Sequence, residues 1–138
     1  MAFLGLFGRK NKGFASPWLH LTVVHASARE GLEPDDAFAL RGMVIGAHPI
    51  DFDFRNPGGF TVYFPGSADG LEAANGLAVT LRGYARDKSL SAFGVGVGQG
   101  ECLAQRSGSG KFVARPVGTV ISVTMKAAIQ EADSSGVC

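Results

Sequence analysis

The clearest alternation along the chain lies between residues 49 and 65. Ile50, Phe52 and Phe54 alternate with Asp51, Asp53 and Arg55, and Phe60-Thr61-Val62-Tyr63-Phe64 returns after Asn56-Pro57-Gly58-Gly59. Period-two patterning across such a turn predicts a β-hairpin, with glycine supplying the positive φ that tight turns need. Upstream, Trp18-Leu-His-Leu-Thr-Val-Val-His-Ala26 is rich in β-branched residues and predicts a buried strand. Glu33-Pro34-Asp35-Asp36 then starts a helix. Proline suits a first turn and acidic residues there oppose the macrodipole. That helix is expected over Pro34 to Val44, burying Phe38, Leu40 and Val44.

A second helix follows Pro65-Gly66-Ser67-Ala68-Asp69, with Asp69 and Glu72 in capping-box spacing. Leu71, Ala74, Ala78, Leu81 and Ala85 share one face at helical period, and the pattern stops near Arg86. From about Ser91 the pattern returns to period two in an unusual form, with Gly94, Gly96, Gly98 and Gly100 alternating with Phe93, Val95 and Val97. A strand there has one face without side chains. Such a face marks a place where another backbone or a ligand comes close. Residues 101–106 and 111–116 are expected to pair across Ser107-Gly108-Ser109-Gly110, and a last helix runs from about Thr119 to Glu131.

Strand, helix, hairpin, helix, strand, hairpin, helix is the order of an α+β domain. The expected architecture is ferredoxin-like: an antiparallel sheet with its helices on one face. Either a helix packs against the bare glycine face or that face floors a pocket. The expected organisation is a tail over 1–16, a single domain over 17–132 and a tail over 133–138.

Composition narrows the function classes. The chain has 138 residues, 46% hydrophobic and 18% charged, with a formal net charge of +1. It suits one globular domain with a real core. No block of like charge marks a nucleic-acid footprint. Cys102 and Cys138 form neither a CxxC pair nor a zinc spacing, which fits a reducing, cytoplasmic compartment. The apolar run Phe3-Leu4-Gly5-Leu6-Phe7 is too short to span a bilayer. With Arg9, Lys10 and Lys12 behind it, residues 1–12 read either as a weak interfacial membrane tether or as a docked tail.

Single residues offer few catalytic candidates. Asp51 and Asp53, two apart on one strand face with His48 nearby, read as the solvated face of an edge strand balanced by Arg55, or as a metal site. Asp35 and Asp36 are explained by the helix start. His20 and His25, among strand apolars, read as buried, hydrogen-bonded histidines. Cys102 reads as an inert core thiol. Ser107-Gly108-Ser109-Gly110-Lys111 lacks phosphate-loop spacing and reads as a turn.

Several segments resemble, in order and spacing, the class III nucleotidyl cyclase catalytic domain (the adenylate and guanylate cyclase family). Leu21-Thr22-Val23-Val24-His25-Ala26-Ser27 is similar to that family's first strand. Gly58-Gly59-Phe60-Thr61-Val62-Tyr63-Phe64-Pro65 is similar to the segment after its second metal-binding aspartate. Gly96-Val97-Gly98-Gln99-Gly100-Glu101 resembles its Gly-Ile-His-Thr-Gly-Glu strand. Gly118-Thr119-Val120-Ile121-Ser122 resembles the entry to its last helix. The resemblance covers about residues 18–132.

The departures matter as much. The resemblance implies two metal-binding aspartates, but the matching positions carry Ser27 and Gly58. Neither supplies the anionic oxygen that a hard divalent cation needs. It also implies a ribose-orienting asparagine and, one turn later, an arginine. Those positions carry Ser122 and Lys126, and lysine lacks the guanidinium fork. By a looser alignment the base-selecting positions fall near Phe54 and Arg115. The implied pocket positions are therefore Ser27, Gly58, Gly98, Ser122 and Lys126, with no catalytic residue, no metal ligand and no cofactor.

Three functions follow as expectations. The first is a non-catalytic, cyclase-like module that acts through protein contacts, as a homodimer or with another protein. The second is a nucleotide sensor without turnover. The third is an enzyme with rewired ligands drawn from Asp51, Asp53 or Glu101.

Overall fold

A computed structural model of the chain describes residues 18–56 and 58–135. The expectations for residues 1–12 and for Cys138 lie outside the described residues. The elements in chain order are β1 (Trp18–Ala28), α1 (Pro34–Gly46), β2 (Asp51–Asn56), β3 (Gly59–Pro65), α2 (Ala68–Asp87), β4 (Phe93–Leu103) and α3 (Thr119–Ser135). The four strands form one sheet in the order β2-β3-β1-β4, with every neighbouring pair antiparallel. The βαββαβ connection in this order is the expected ferredoxin-like α+β core.

Strand alternation splits the sheet into two faces. On the first, Val24 and Ala26 of β1, Val62 and Phe64 of β3, and Phe93 and Val95 of β4 meet Leu40 and Val44 of α1 and Leu77, Ala78 and Leu81 of α2. Full burial of each large side chain is worth ~1.5–3 kcal/mol, so this cluster is the main source of stability. The second face carries Leu21, Val23, Tyr63 and Cys102, covered by Ile121 of α3. The expectation of helices on one face therefore describes α1 and α2, whereas α3 lies on the other.

The glycine alternation explains why α3 can lie there. A side chain added at Gly94 would strike the Ala128 carbonyl and the Ala132 amide, and one at Gly96 would lie 3.1 Å from the Ala128 nitrogen. Gly98 faces Thr124 and Gly100 faces Val120. Two strand residues advance ~6.6 Å and one helical turn of four residues ~6 Å. The glycine row thus keeps step with Val120, Thr124, Ala128 and Ala132, and helix backbone rests on strand backbone. Of the two sequence readings of the bare face, close helix packing is the one found.

The open edge of β4 is sealed at Val95. Glu131 of α3 accepts from the Val95 amide at 3.0 Å, and Arg82 of α2 donates to the Val95 carbonyl at 2.7 Å. The two side chains also pair with each other at 2.9 Å, joining the helices of opposite faces around the sheet edge.

Several local expectations are corrected. Phe38 is 81% exposed, because Leu40 and Val44 set the inward side of α1 and Phe38 stands two residues off that row. The N-cap of α2 is Ser67, whose hydroxyl accepts from the Gly70 amide, so Asp69 sits inside the first turn and forms no capping box with Glu72. The expected hairpin over 101–116 is reduced to isolated bridges, Leu103 with Val117 and Arg106 with Phe112. The last helix continues past Glu131 to Ser135, and Asp133 pairs with Arg29. No described helix is long and apolar enough to cross a membrane.

Candidate functional site

The half of the second face that α3 leaves uncovered is a cleft of about 240 Å³. Its floor is the sheet: His25 and Ser27 of β1, Gly59, Thr61 and Tyr63 of β3, and Asp53 of β2. Register puts these residues together. Ser27 lies opposite Gly59 on one side and Gly94 on the other, His25 opposite Thr61, and Thr61 opposite Asp53. One wall is Ile121, Met125 and Ile129, a row at i, i+4 and i+8 along α3. Arg115, from the segment leading into α3, closes the remaining side.

Glycine has a definite job at the floor. A β-carbon at Gly59 would come within 2.7 Å of the Ala26 carbonyl oxygen and 3.5 Å of His25 Nε2. Its absence admits the imidazole to the cleft. His25 Nδ1 lies 2.8 Å from the Thr61 hydroxyl. Burial pushes the His25 pKa below its ordinary value, so the ring is neutral at pH 7. It is the buried, hydrogen-bonded histidine expected from the sequence. His20 is not buried; it faces outward and pairs with Glu101 at 3.2 Å.

The charged groups of the cleft cancel. Asp53 Oδ2 meets Arg115 Nε at 3.1 Å, with the Asp53 side chain only 19% exposed. Asp51 accepts from the Phe112 amide at 2.9 Å and from its neighbour's amide at 2.8 Å, and lies 3.5 Å from Lys111. The solvated-edge reading of Asp51 and Asp53 is thus corrected. Both carboxylates are half-buried anchors that hold residues 111–115 over the sheet. Their alternation with Phe52 and Phe54 was visible in the sequence, but the cations that meet them arrive from sixty residues away.

Tyr63 lies beneath that segment, edge-on to Phe112 with ring centroids 5.2 Å apart. Its hydroxyl is buried without a hydrogen-bond partner among the described residues. Burial, reinforced by the Asp53 charge and partly offset by Arg115, pushes its pKa up to about 12. It is therefore a neutral phenol at the junction of the cleft with a smaller hollow lined by Asp51, Phe112 and Pro116.

The five pocket positions named from the sequence separate. Ser27 and Gly58 line the cleft. Gly98 lies under α3 against Thr124 and does not reach it. Ser122 and Lys126 are exposed on α3, outside the row that lines the cleft. Of the residues that give the cleft its character, Thr61, Tyr63, Met125 and Ile129 were not named from the sequence, Asp53 was named only as an edge-strand or metal-ligand residue, and Arg115 only as lying near a base-selecting position. The i, i+4, i+8 row of α3 was the available signal.

The donor set does not fit a pair of divalent metals. Ser27 and Gly58 bring no carboxylate, and Asp53 is committed to Arg115. Among the described residues no group of three His, Cys, Asp or Glu could hold a metal ion. Glu101, on β4, points to the opposite face, where it meets His20, so it cannot join Asp51 and Asp53 at one centre.

Comparison with known proteins agrees with the architecture. No protein-family model matches the sequence, and no curated protein sequence does. Solved structures do match. One bacterial light-regulated adenylyl cyclase superposes with a TM-score of 0.56 at 14% identity, over 85% of this chain and 40% of its own. A second gives 0.55 at 13% identity, over 80% of this chain and 38% of its own. The chain spans about two fifths of the length of these neighbours. It has a nucleotidyl cyclase-like fold.

Proposed function

We propose that this chain is a cyclase-like module that acts by contact and does not turn over nucleotide. The neighbours in fold are adenylyl cyclases by name. One observation carries the proposal: where the sequence resemblance implies a metal-binding centre, the cleft offers neutral Ser27, His25 and Thr61, an internally paired Asp53–Arg115, and an apolar wall. Phosphoryl transfer depends on metal ions and cations that neutralise developing charge, and this lining offers no pair of carboxylates to hold metals and a single arginine that Asp53 already half neutralises. Fold alone does not carry the activity.

The partner is a second copy or another protein. Light scattering coupled to size exclusion tests the first, and affinity capture with the purified chain tests the second. A strict monomer that captures nothing contradicts the reading. The alternative of a nucleotide sensor has weaker support, because Lys126, its expected anion contact, stands outside the cleft.

A further inference from the structure

We infer that the cleft between α3 and β3 is a binding site for a small monocarboxylate with an apolar body. This goes beyond the contact role proposed above and stands or falls separately from it. Three features of the cleft select that chemistry.

The first is the wall. Ile121, Met125 and Ile129 form a continuous apolar row, and Met125 and Ile129 are 37% and 42% exposed. A pliable methionine between two branched side chains adapts to a flexible or flat apolar body. The second is the polar end. Arg115, at the side of the cleft, meets Asp53 through Nε. An arginine held by one carboxylate through Nε still offers a planar pair of donors to a second one. The third is the Tyr63 hydroxyl, buried beside the same two side chains and without a hydrogen-bond partner among the described residues. Buried hydroxyls are nearly always satisfied, and a ligand oxygen at this end of the cleft would complete this one.

Size and charge exclude other occupants. The cavity is below the ~300–1,000 Å³ usual for drug-sized ligands, so its ligand is small. One arginine, already half neutralised by Asp53, cannot balance a polyphosphate. A cation would meet Arg115 at the mouth and the apolar wall beyond it. In the proposed arrangement the carboxylate would lie between Arg115 and the Tyr63 hydroxyl. The apolar body runs along Met125 and Ile129, above Thr61 and Ser27.

The test uses hexanoate, with hexylamine and ATP as comparison ligands, titrated into the isotopically labelled chain and followed by amide and methionine-methyl NMR. Hexanoate is expected to move the Gly59, Thr61 and Arg115 amides and the Met125 methyl saturably. Hexylamine and ATP are expected to leave them in place. Arg115→Gln should weaken hexanoate at least tenfold. Because that change also strips Asp53 of its partner, Met125→Glu serves as the second variant. It is on an exposed helical position, keeps Arg115, and should also abolish binding. Tyr63→Phe should weaken hexanoate without lowering the melting temperature of the free protein. Equal binding of hexylamine, unchanged hexanoate affinity in both Arg115→Gln and Met125→Glu, or no saturable shift with hexanoate would each overturn the assignment. None of these results bears on whether the chain dimerises or captures a protein.

Discussion

Replacing Gly96 by alanine adds one methyl group where β4 and α3 touch. The new carbon would lie 3.1 Å from the Ala128 nitrogen and 3.2 Å from the Ala127 β-carbon, and closer still to the Thr124 carbonyl oxygen. Two of these three neighbours are helix backbone, which cannot rotate aside. The helix must lift, and the row Val120, Thr124, Ala128 loses its seat along the whole strand. Overpacking of this kind costs ~1–3 kcal/mol. Removing a glycine from a strand returns ~0.5–1 kcal/mol of chain entropy. The net expectation is a loss of about 1 kcal/mol, which a urea slope of ~1–3 kcal/mol/M turns into a midpoint lower by roughly 0.5 M. Gly42→Ala is the matched control. It is also helix-associated, but a β-carbon there meets nothing within 4 Å. In mid-helix it should raise stability by ~0.5–1 kcal/mol. Urea unfolding followed by circular dichroism measures both. If Gly96→Ala is as stable as the parent, or if the two variants shift alike, α3 does not rest on the glycine strand.

Other expectations follow from single contacts. Glu131→Ala leaves the Val95 amide without its acceptor at the sheet edge and Arg82 with only the Val95 carbonyl, and should cost about 1 kcal/mol, the part-exposed ion pair adding little. It should also speed hydrogen exchange of the Val95 amide. His25 has a lowered pKa because it is buried, so below about pH 6.5 the unfolded chain takes up a proton that the folded chain refuses. Stability should therefore fall as pH drops from 7 towards 5, and the slope should flatten in His25→Phe; an unchanged slope contradicts the burial argument. Tyr63 behaves oppositely. Its folded pKa of about 12 lies above the ordinary 10, so its contribution is lost as pH rises from 10 to 12, and Tyr63→Phe should remove that alkaline loss. Cys102 is buried, with its thiol pKa raised first by burial and then by Glu101, so its alkylation by iodoacetamide should proceed at the rate of unfolding.

The fold was legible wherever a pattern was local. Alternation around the Asn56–Gly59 turn predicted β2 and β3, and the Ala74, Ala78, Leu81, Ala85 row predicted the buried face of α2. The glycines of β4 announced a close approach, although period alone could not say whether a helix or a ligand made it. Phe38 was misjudged because a large apolar residue next to Leu40 and Val44 looks like core until the helix phase is fixed by what it packs on. The sheet edge at Val95 needed Arg82 and Glu131, forty-nine positions apart, to meet. The cleft was the least legible part. Its alignment-derived members Ser27 and Gly58 were found there, but Ser122 and Lys126 were not, since α3 is rotated so that Ile121, Met125 and Ile129 face the floor. Asp53 and Arg115 are an ordinary charge pair in sequence and become a site only when the 111–115 segment folds back over β2.

We propose that this cyclase-like scaffold lacks a working phosphoryl-transfer centre. Purified protein incubated with ATP or GTP and Mn²⁺, with cyclic nucleotide and pyrophosphate quantified by mass spectrometry, tests it most directly. No product above the protein-free control is expected at any protein concentration, including concentrations high enough to favour dimers. Cyclic nucleotide that rises with protein and disappears in Asp53→Ala would contradict it.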